Sequence, residues 1–421
     1  GQSLSLPEGE PIWPIREDQK PELVDNVGDF LEALLFQPHL DRVVVLPGGV
    51  RLLGQQHGIP AVLRQACQAA GARCRGADER PRPRMRDFLA CLGKAHQDRF
   101  RARLWQYGTR GKEKEIKKGG KKKTLREVVE ILTEEEAQGA VSTDCPLYIS
   151  ELRWLEKVQH PLASNEKVKT ATNCDIYDFT PIARWMPLWE RSEGGIFVGD
   201  RGTGSGMHVD QCLWSNVGRN WAGFKLFAIW PWEERLSIPK EVGKGRIFHL
   251  PLSEEEKGWL ARAKTIALVR PGDVWVFSGG QPHTALVVGD GVNVSAYESF
   301  VPAHRDAMGL LVKSNMGSAH WENCWMDDED LDELFEDVVD NLQRSLRDGI
   351  DARLRRRLEA CVKVMREKGC SYCKELWGQE DRGERRRQRE DEEDASSYYS
   401  NEEAESKCKK AKKAQSEPTS C

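Results

Sequence analysis

Short strand-like runs dominate residues 145–301 of this chain of 421 residues. The runs are GGIFVG, GMHVD, FKLFAIW, TIALVR, DVWVFSG, HTALVVG and VNVSAYESF. Gly, Pro, Asp and Asn separate them, as in RPGD, SGGQP and GDG. Many short strands with turn signals in one compact region are typical of an antiparallel sandwich or barrel. The sequence therefore predicts a mainly β core in this part of the chain.

Helical patterns lie on both sides of this region. Apolar residues at three- and four-residue spacing predict amphipathic helices, and the chain after residue 305 has this pattern. Near the N-terminus, DRVVVLPGGV predicts a buried strand closed by a Pro-Gly-Gly turn. The helices predicted before the β region are VGDFLEALLF, IPAVLRQACQAAGARC, RMRDFLACLGKAHQDRF and TLREVVEILTEEEA, the last with a Thr cap. The combination is that of an α+β protein.

These patterns divide the chain into four parts. A mixed helix and strand lead-in covers residues 1–130, the β core covers 131–305, and a C-terminal helical region covers 306–378. Residues 379–421 are charged and nearly free of aliphatic side chains, so they are predicted to be disordered because they cannot bury enough surface to fold. The helical region is expected to pack on the β core or to pair with a second copy of the chain in a homodimer.

Composition narrows the function classes only slightly. Apolar residues make up 39% of the chain and charged residues 31%, with a net charge of −4 that favours no particular partner. The chain has no run of about 18 apolar residues, so no membrane span is predicted. The 12 cysteines lack a disulfide spacing, which favours reduced thiols in a nuclear or cytoplasmic compartment. Cys370 and Cys373 form a lone CxxC, and two thiols on a helix are favoured because a zinc ribbon needs a second pair.

The segment GTGSGMHVDQ, residues 202–211, predicts part of a metal site. Side chains at i and i+2 of a strand point to the same face, so His208 and Asp210 are expected to converge, with Val209 buried behind them. The third ligand is predicted at His283, which follows a Gly-Gly turn and begins the next strand. Two histidines and one carboxylate leave three open positions, the arrangement of non-heme Fe(II) oxygenases. Structural zinc fits less well because it prefers four protein ligands.

An oxygenase of this kind also needs groups that bind 2-oxoglutarate. Lys225 is expected to point inward from a strand and to hold the distal carboxylate in a charge-assisted contact. A hydroxyl group is expected to assist it, and Ser205, three residues before His208, is placed for that role. Tyr148 and Tyr297 are further candidates because they occupy inward-facing strand positions.

Four motifs carry a resemblance to a known family, and they occur in the order PLYISE, GSGMHVD, GFKLFAIWP and RPGDVWVFSGGQPH. They resemble the JmjC (Jumonji-C) family of Fe(II)- and 2-oxoglutarate-dependent oxygenases. The branch they resemble most is that of the small protein hydroxylases, which includes the Jumonji arginine-demethylase/lysyl-hydroxylase. The resemblance covers roughly residues 140–301. An isolated HxD is a weak signal, whereas HxD, a lysine strand and a hairpin that ends in His are specific in this order.

This resemblance implies the fold and the roles of the site residues. The implied fold is a double-stranded β-helix, the cupin-like or jelly-roll barrel of JmjC domains, with flanking helices. His208, Asp210 and His283 are implied to be the catalytic metal ligands for Fe(II), with O2 and 2-oxoglutarate as cosubstrates. The cofactor-binding residues that the resemblance carries over are Lys225, Ser205, Tyr148 and Asn216, the last as the polar residue after the metal loop.

The chain departs from the family pattern at four positions. Leu226 stands where a second basic residue follows the lysine, and Ser278 stands where a proline follows the strand VWVF. Pro282 replaces an aromatic residue before the distal histidine, and Ser299 replaces an asparagine on the last strand. None of these four is a predicted ligand, so they are expected to affect the choice of substrate.

The predicted function is an oxidoreductase of the dioxygenase class that hydroxylates a side chain of a protein or peptide substrate. When the oxidised carbon is an N-methyl carbon, the outcome is demethylation. The alternatives are a catalytically inactive cupin-like interaction protein and a nucleic-acid-associated protein. The basic residues Lys121 to Lys123 and the charged tail also predict association with RNA or chromatin. A nuclear or cytoplasmic location is expected.

Overall fold

The fold is described from a computed structural model of the chain. The residues that the structure describes are 3–5, 11–37, 42–52, 58–71, 82–99, 101–102, 105–107, 113–115, 123–137, 147–152, 188–210, 215–236, 252–314, 336, 338–343, 346 and 352–368. The predicted tail, the Cys370 and Cys373 pair, and Lys121 and Lys122 lie outside these residues. No helix among the described residues is long and apolar enough to cross a membrane.

The described strands are numbered in chain order. They are β1 (Ser3–Ser5), β2 (Pro11–Pro14), β3 (Glu22–Leu23), β4 (Val44–Leu46), β5 (Arg101–Ala102), β6 (Trp105–Tyr107), β7 (Glu113–Glu115), β8 (Lys123–Thr124), β9 (Leu147–Leu152), β10 (Leu188–Gly199), β11 (Gly204–His208), β12 (Ser215–Ala222), β13 (Lys225–Ile229), β14 (Thr265–Val269), β15 (Val274–Ser278), β16 (His283–Val287) and β17 (Asn293–Val301). Apart from β12, the strands from β11 onward fall on runs that the sequence predicted, whereas the predicted GGIFVG covers only the second half of β10.

The described helices lie before, between and after these strands. They are α1 (Val27–Phe36), α2 (Gly49–Leu52), α3 (Gly58–Gly71), α4 (Met85–Ala90), α5 (Lys94–Arg99), α6 (Leu125–Ala137), α7 (Glu254–Arg262), α8 (Arg305–Ser314) and α9 (Ala352–Lys368). Short 3-10 helices cover Glu17–Gln19 and Trp232–Leu236. The predicted α+β class is confirmed by this mixture of helices and a large sheet.

Two sheets form the β core. The larger has nine strands in the order β3-β4-β15-β12-β17-β10-β9-β6-β7, and the smaller has four in the order β11-β16-β13-β14. The large sheet is mixed, because β3 and β4 are parallel whereas its strands β9, β10, β12, β15 and β17 pair antiparallel. From β10 to β17 the chain passes repeatedly from one sheet to the other, which brings residues distant in sequence onto facing strands.

The two sheets pack against each other through an apolar layer. Phe227 and Ile229 of β13 and Ala285 of β16 meet Trp275 and Phe277 of β15 in one buried cluster. The rings of Phe227 and Phe277 lie with their centroids 4.3 Å apart. Because side chains alternate along a strand, every second residue of β13 points into this layer. Any polar side chain on the same face is therefore enclosed between the sheets.

Helices cover the outer faces of both sheets. On the small sheet, Leu226 and Ala228 pack with Trp259 and Leu260 of α7, and the indole N–H of Trp230 donates to the Trp259 carbonyl at 2.9 Å. On the large sheet, residues of α1, α3, α4 and α6 share one core with its strands. Burial on both faces explains why β13 to β16 read as continuous apolar runs rather than alternating ones.

Two predicted helices agree closely with the structure, and one differs. The helix α1 covers the predicted VGDFLEALLF, and α6 begins after the predicted Thr cap, where Thr124 Oγ1 accepts from the Glu127 N–H at 3.2 Å. The single helix predicted for RMRDFLACLGKAHQDRF was wrong, because α4 and α5 divide it. Gln97 folds back and donates to the carbonyl of Leu89 at the end of α4, at 3.1 Å. Gly93 in the break has a low helix propensity.

The strand β12 was not predicted because its sequence, SNVGRNWA, is poor in β-branched residues. Its first six residues are nevertheless buried. The strand lies between β15 and β17 and is hydrogen-bonded on both sides. Pairing on both edges therefore outweighs the low intrinsic preference of Asn and Gly for strands.

A glycine is required at position 204, where β11 pairs with β16. A Cβ atom on Gly204 would overlap the carbonyl oxygen of Ala285, which is backbone and cannot rotate away. We expect Gly204→Ala to lower the free energy of unfolding by about 3 kcal/mol or more. Urea denaturation measures this effect.

Gly258→Ala is the matched control for that change. Gly258 lies in the middle of α7, and nothing lies within 4 Å of its added Cβ. The control is expected to raise the stability by about 0.5–1 kcal/mol, because alanine is the better helix former. Equal effects of the two substitutions would contradict the close approach of β11 to β16.

Candidate metal centre

The two predicted histidine ligands are direct cross-strand neighbours. His208 ends β11 and His283 begins β16, and the two residues pair with each other in the small sheet. Their ring centroids lie 4.2 Å apart. Asp210 Oδ1 is 3.4 Å from His208 Nε2 and 3.6 Å from His283 Nε2. One ligand atom from each of the three side chains therefore lies within 4.8 Å of the others, in a group that can bind a metal ion.

The position of Asp210 differs in one detail from the prediction. Sequence analysis placed His208 and Asp210 on one strand, but β11 ends at His208 and Asp210 follows it. The Asp210 N–H donates to the carbonyl of Gly279 at 2.9 Å, which ties this segment to the turn before β16. Val209 between the two ligands is fully buried, as expected. The carboxylate therefore converges on the histidines through a loop contact rather than through strand alternation.

Backbone carbonyls orient both imidazole rings. His208 Nδ1 lies 2.7 Å from the carbonyl oxygen of Gly206, and His283 Nδ1 lies 2.9 Å from that of Gln281. A carbonyl can only accept, so in neutral rings the proton belongs on Nδ1 and the lone pair on Nε2. Both Nε2 atoms face Asp210. This arrangement is the outer-shell support that metal-binding histidines normally have.

The electrostatics of the three side chains favour a bound cation. Burial and the nearby His208 hold the pKa of His283 at about 4, so this ring is neutral at physiological pH. Burial raises the pKa of Asp210, but the two histidines and the hydrogen bond from Asn216 outweigh it and lower the pKa overall. Burial lowers the pKa of His208, but the hydrogen bond and charge of Asp210 outweigh it and raise the pKa overall. The group thus offers one negative charge that stabilises a positive one.

The donor set fits a divalent transition-metal ion. Metal–ligand bonds of about 2.0–2.2 Å place neighbouring ligand atoms of one ion about 3–4 Å apart, and the two distances from Asp210 Oδ1 fall in that range. The side chains of His208 and Asp210 remain 20% and 28% exposed, whereas that of His283 is 4% exposed. The open side of the site therefore lies towards His208 and Asp210. Two imidazoles and one carboxylate with an open side are typical of Fe(II) sites that bind further ligands.

Asn216 holds the carboxylate that completes the group. Its amide donates to Asp210 Oδ2 at 2.5 Å, and its strand β12 pairs it with Ser299 and Phe277. The sequence predicted Asn216 as a cofactor-binding residue, and the structure places it against the ligand Asp210. It therefore positions Asp210 with Oδ1 towards the histidines.

Asn216→Ala is expected to weaken Mn(II) binding by about 10- to 100-fold, the usual cost of losing an outer-shell partner. Equilibrium dialysis of the full chain with Mn(II) measures this. The control is Asn26→Ala, which removes the cap that accepts the Asp29 N–H at 2.9 Å. The control is expected to cost about 1 kcal/mol of stability without changing the metal affinity. If both variants bind Mn(II) like the wild type, Asn216 has no role in the site.

Lys225 is fully buried between the two sheets. Its Nζ donates to Ser295 Oγ at 2.7 Å and to Tyr297 OH at 3.2 Å. Its Nζ also lies 5.8 Å from the ring centre of Phe197. No carboxylate accompanies it in these contacts, and burial lowers its pKa to about 7. Among the described residues, the hydrogen-bond partners of this amine are the hydroxyl groups of Ser295 and Tyr297, so a bound carboxylate is expected to favour its protonated form.

Aromatic rings connect Lys225 with the metal-binding group. The ring of Phe277 lies 5.2 Å from that of His283 and 5.9 Å from that of Tyr297. In the small sheet, His283 pairs with Ile229, four residues beyond Lys225 on β13. Four residues of strand span about 13 Å, part of which the long lysine side chain covers. The metal-binding group and Lys225 therefore lie on the same inner face of the small sheet, with His283 and Lys225 on neighbouring strands.

Tyr148 and Ser205 lie close to each other. The hydroxyl groups of Tyr148 and Ser205 are 3.4 Å apart. Phe197 stands between the two tyrosines, with its ring 6.2 Å from Tyr148 and 5.1 Å from Tyr297. The structure thus brings the predicted Tyr148, Ser205, Tyr297 and Lys225 into one neighbourhood.

Sequence analysis missed Ser295 and Phe197. Ser295 is fully buried and accepts from Lys225 Nζ at the shortest distance of that amine's two hydrogen bonds. Ser295 precedes Tyr297 by two residues on β17, so strand alternation places both on one face. That alternation was a usable signal for Ser295. Phe197 carried no comparable signal, because an aromatic residue in a strand usually indicates core packing.

The low pKa of Lys225 predicts a pH dependence of stability. Its pKa is about 7 in the folded chain against 10.5 for an unperturbed lysine. Between these values the unfolded chain holds a proton that the folded chain lacks, so raising the pH stabilises the fold, by up to about 1.4 kcal/mol per unit. Urea unfolding at pH 7 and pH 9 measures this change. It is expected to be larger for the wild type than for Lys225→Met, and equal changes in the two proteins would contradict the shift.

Comparison of the chain with models of known protein families found no match, and comparison with curated proteins found none either. The geometry of these side chains therefore provides the evidence for a function.

Proposed function

We propose that this protein is an Fe(II)- and 2-oxoglutarate-dependent dioxygenase that hydroxylates a side chain of a protein substrate. The observation that carries the proposal is the pairing of the His208, Asp210 and His283 group with the buried amine of Lys225. A metal group alone suits many functions. A metal-binding group together with a buried amine that can take up a proton, connected by aromatic rings, suits a chelating dicarboxylic acid.

The strand order supports membership of the JmjC family in this proposal. In a double-stranded β-helix, eight strands alternate between two facing sheets. Here β10, β17, β12 and β15 are neighbours in the large sheet, and β11, β16, β13 and β14 are neighbours in the small one. This order supports such a barrel, with the proposed ligands on β11, just after it, and on β16.

In the proposed reaction, His208 and His283 would hold Fe(II) through Nε2 and Asp210 through a carboxylate oxygen. When bound, Fe(II) supplies the oxidative chemistry by which O2 and 2-oxoglutarate give succinate, CO2 and a hydroxylated C–H bond, which ends in demethylation at an N-methyl carbon. Lys225 takes up a proton and pairs with the distal carboxylate, a charge-assisted contact. Tyr297 accepts from the same amine.

Apolar side chains of the barrel keep water from this region. Phe277 and Phe227 are each 2% exposed and pack against the ring of His283. Exclusion of water strengthens the contact between the lysine and a carboxylate, because the effective dielectric constant is low. The protein therefore supplies orientation and shielding, while the metal supplies the reactivity.

Turnover of 2-oxoglutarate to succinate tests the proposal. The purified chain is incubated with Fe(II), ascorbate, O2 and 2-oxoglutarate, and succinate is measured. Peptide libraries are then profiled for a gain of about 16 mass units, the mass of one oxygen atom inserted at a C–H bond. Succinate formation that depends on added Fe(II) supports the proposal. Metal binding without any succinate in the presence of peptides contradicts it and favours the catalytically inactive interaction protein.

A further inference from the structure

A cavity lined by arginines lies between α8 and α9. The two helices pack together, and the cavity between them has a volume of about 300 Å³. Arg305 lines it from the start of α8, and Arg353, Arg356 and Arg357 line it from α9. His304 and two alanines complete the wall. The volume lies at the lower end of the range of small-molecule sites.

The charge of the lining is entirely positive or neutral. Four guanidinium groups line the cavity, and no carboxylate does so among the residues that the structure describes, in a chain whose net charge is −4. Arg353, Arg356 and Arg357 are spaced at i, i+3 and i+4 along α9, where like charges repel and destabilise a helix. An anion in the cavity is expected to offset this repulsion.

Two carboxylates of the described residues pair with these arginines without lining the cavity. Asp306 Oδ1 is 3.3 Å from Arg305 Nε, and Glu32 pairs with Arg353. The side chains of Asp306 and Glu32 are 45% and 42% exposed. Pairs in contact with water contribute little and exchange readily. Exchange of these two surface partners is expected to give a ligand anion access to Arg305 and Arg353.

The charges of two of these arginines act on His304. Burial lowers the pKa of His304, and the charges of Arg357 and Arg305 lower it further, against the opposing effect of Asp306. The histidine also accepts the Asp306 N–H through Nδ1 at 3.2 Å, which caps the first turn of α8. His304 is therefore engaged in holding the helix, and the arginines are the groups that present donors to a ligand.

We propose that this cavity binds a phosphate group, either as the free ion or carried on a side chain. A phosphate group has up to two charges and three acceptor oxygens, so it serves several guanidinium groups at once. Arginine is suited to this role because its planar donors match phosphate oxygens in pairs. The site involves neither the metal ligands nor Lys225, so the test below is independent of the dioxygenase proposal.

Binding of inorganic phosphate to the full chain is measured by calorimetry and by thermal unfolding, with chloride at the same ionic strength as reference. Phosphate is expected to raise the melting temperature above the chloride value, because a ligand that binds only the folded state stabilises it. The double variant Arg305→Gln and Arg356→Gln is expected to weaken phosphate binding at least tenfold.

Arg355→Gln is the matched control. Arg355 is exposed on the same helix and does not line the cavity, so this change is expected to leave phosphate binding unchanged. If the double variant unfolds, the single variant Arg356→Gln replaces it. A phosphate effect no larger than that of chloride overturns the proposal, as does an equal loss in the Arg355→Gln protein.

A second arm identifies the source of the phosphate. Short peptides with phosphoserine and with unmodified serine are compared with inorganic phosphate. Tighter binding of the phosphoserine peptide than of inorganic phosphate identifies a phosphorylated protein as the source. Equal binding of the two, with no binding of the serine peptide, identifies the free ion.

Discussion

Asp210→Asn is expected to abolish succinate formation and to weaken metal binding by more than 100-fold. The substitution keeps the shape of the side chain and its capacity to accept from Asn216, but it removes the only negative charge of the metal-binding group. Loss of an outer-shell partner already costs about 10- to 100-fold in affinity, and loss of a ligand costs more. Equilibrium dialysis with Mn(II) and the succinate assay measure the two effects.

Asp18→Asn is the control for that variant. Asp18 is 70% exposed and pairs with Arg16 at the surface, so its loss is expected to leave both metal binding and turnover unchanged. Thermal unfolding in the absence of metal shows that each variant is folded. A folded Asp210→Asn protein that keeps the wild-type affinity for Mn(II) would exclude the proposed metal site.

Lys225→Met is expected to raise the dissociation constant of 2-oxoglutarate by about 100-fold or more while leaving Mn(II) binding intact. Methionine fills a similar volume between the sheets but cannot pair with the distal carboxylate. A charged contact in a dry interior carries a large free energy, whereas the proposed metal ligands lie on or next to other strands. Calorimetry with 2-oxoglutarate and the Mn(II)-loaded chain, without O2, measures the affinity.

The same calorimetric experiment detects the proton that Lys225 is expected to take up when 2-oxoglutarate binds. Because the pKa of Lys225 is about 7 in the folded chain, most of the amine is neutral at pH 8, and a bound dicarboxylate draws a proton onto it. The binding enthalpy of the wild type is then expected to differ between Hepes and Tris buffers, and the difference should correspond to the uptake of close to one proton. The exposed control Lys257→Met is expected to behave like the wild type. Buffer-independent enthalpies would contradict the role of Lys225.

Local physical chemistry in the sequence determined much of the secondary structure. The helices α1 and α6 each follow an apolar stripe and a polar cap, and β13 to β16 are apolar runs that turn residues end. These features depend on neighbours a few residues away, so they can be predicted without knowledge of the fold. The three residues predicted as metal ligands were also identified from spacing and turn context alone.

Long-range contacts decided the rest. The strand β12 exists because β15 and β17 pair with it on both sides, and its sequence alone did not indicate a strand. Asn216 contacts Asp210 through that strand, and Ser295 meets Lys225 across 70 residues of chain. The cavity of Arg305 and Arg356 likewise depends on the packing of two helices that are separate in sequence. Sequence patterns report which face of an element is apolar, whereas partners across the sheets and the low dielectric between them arise only when the chain is folded.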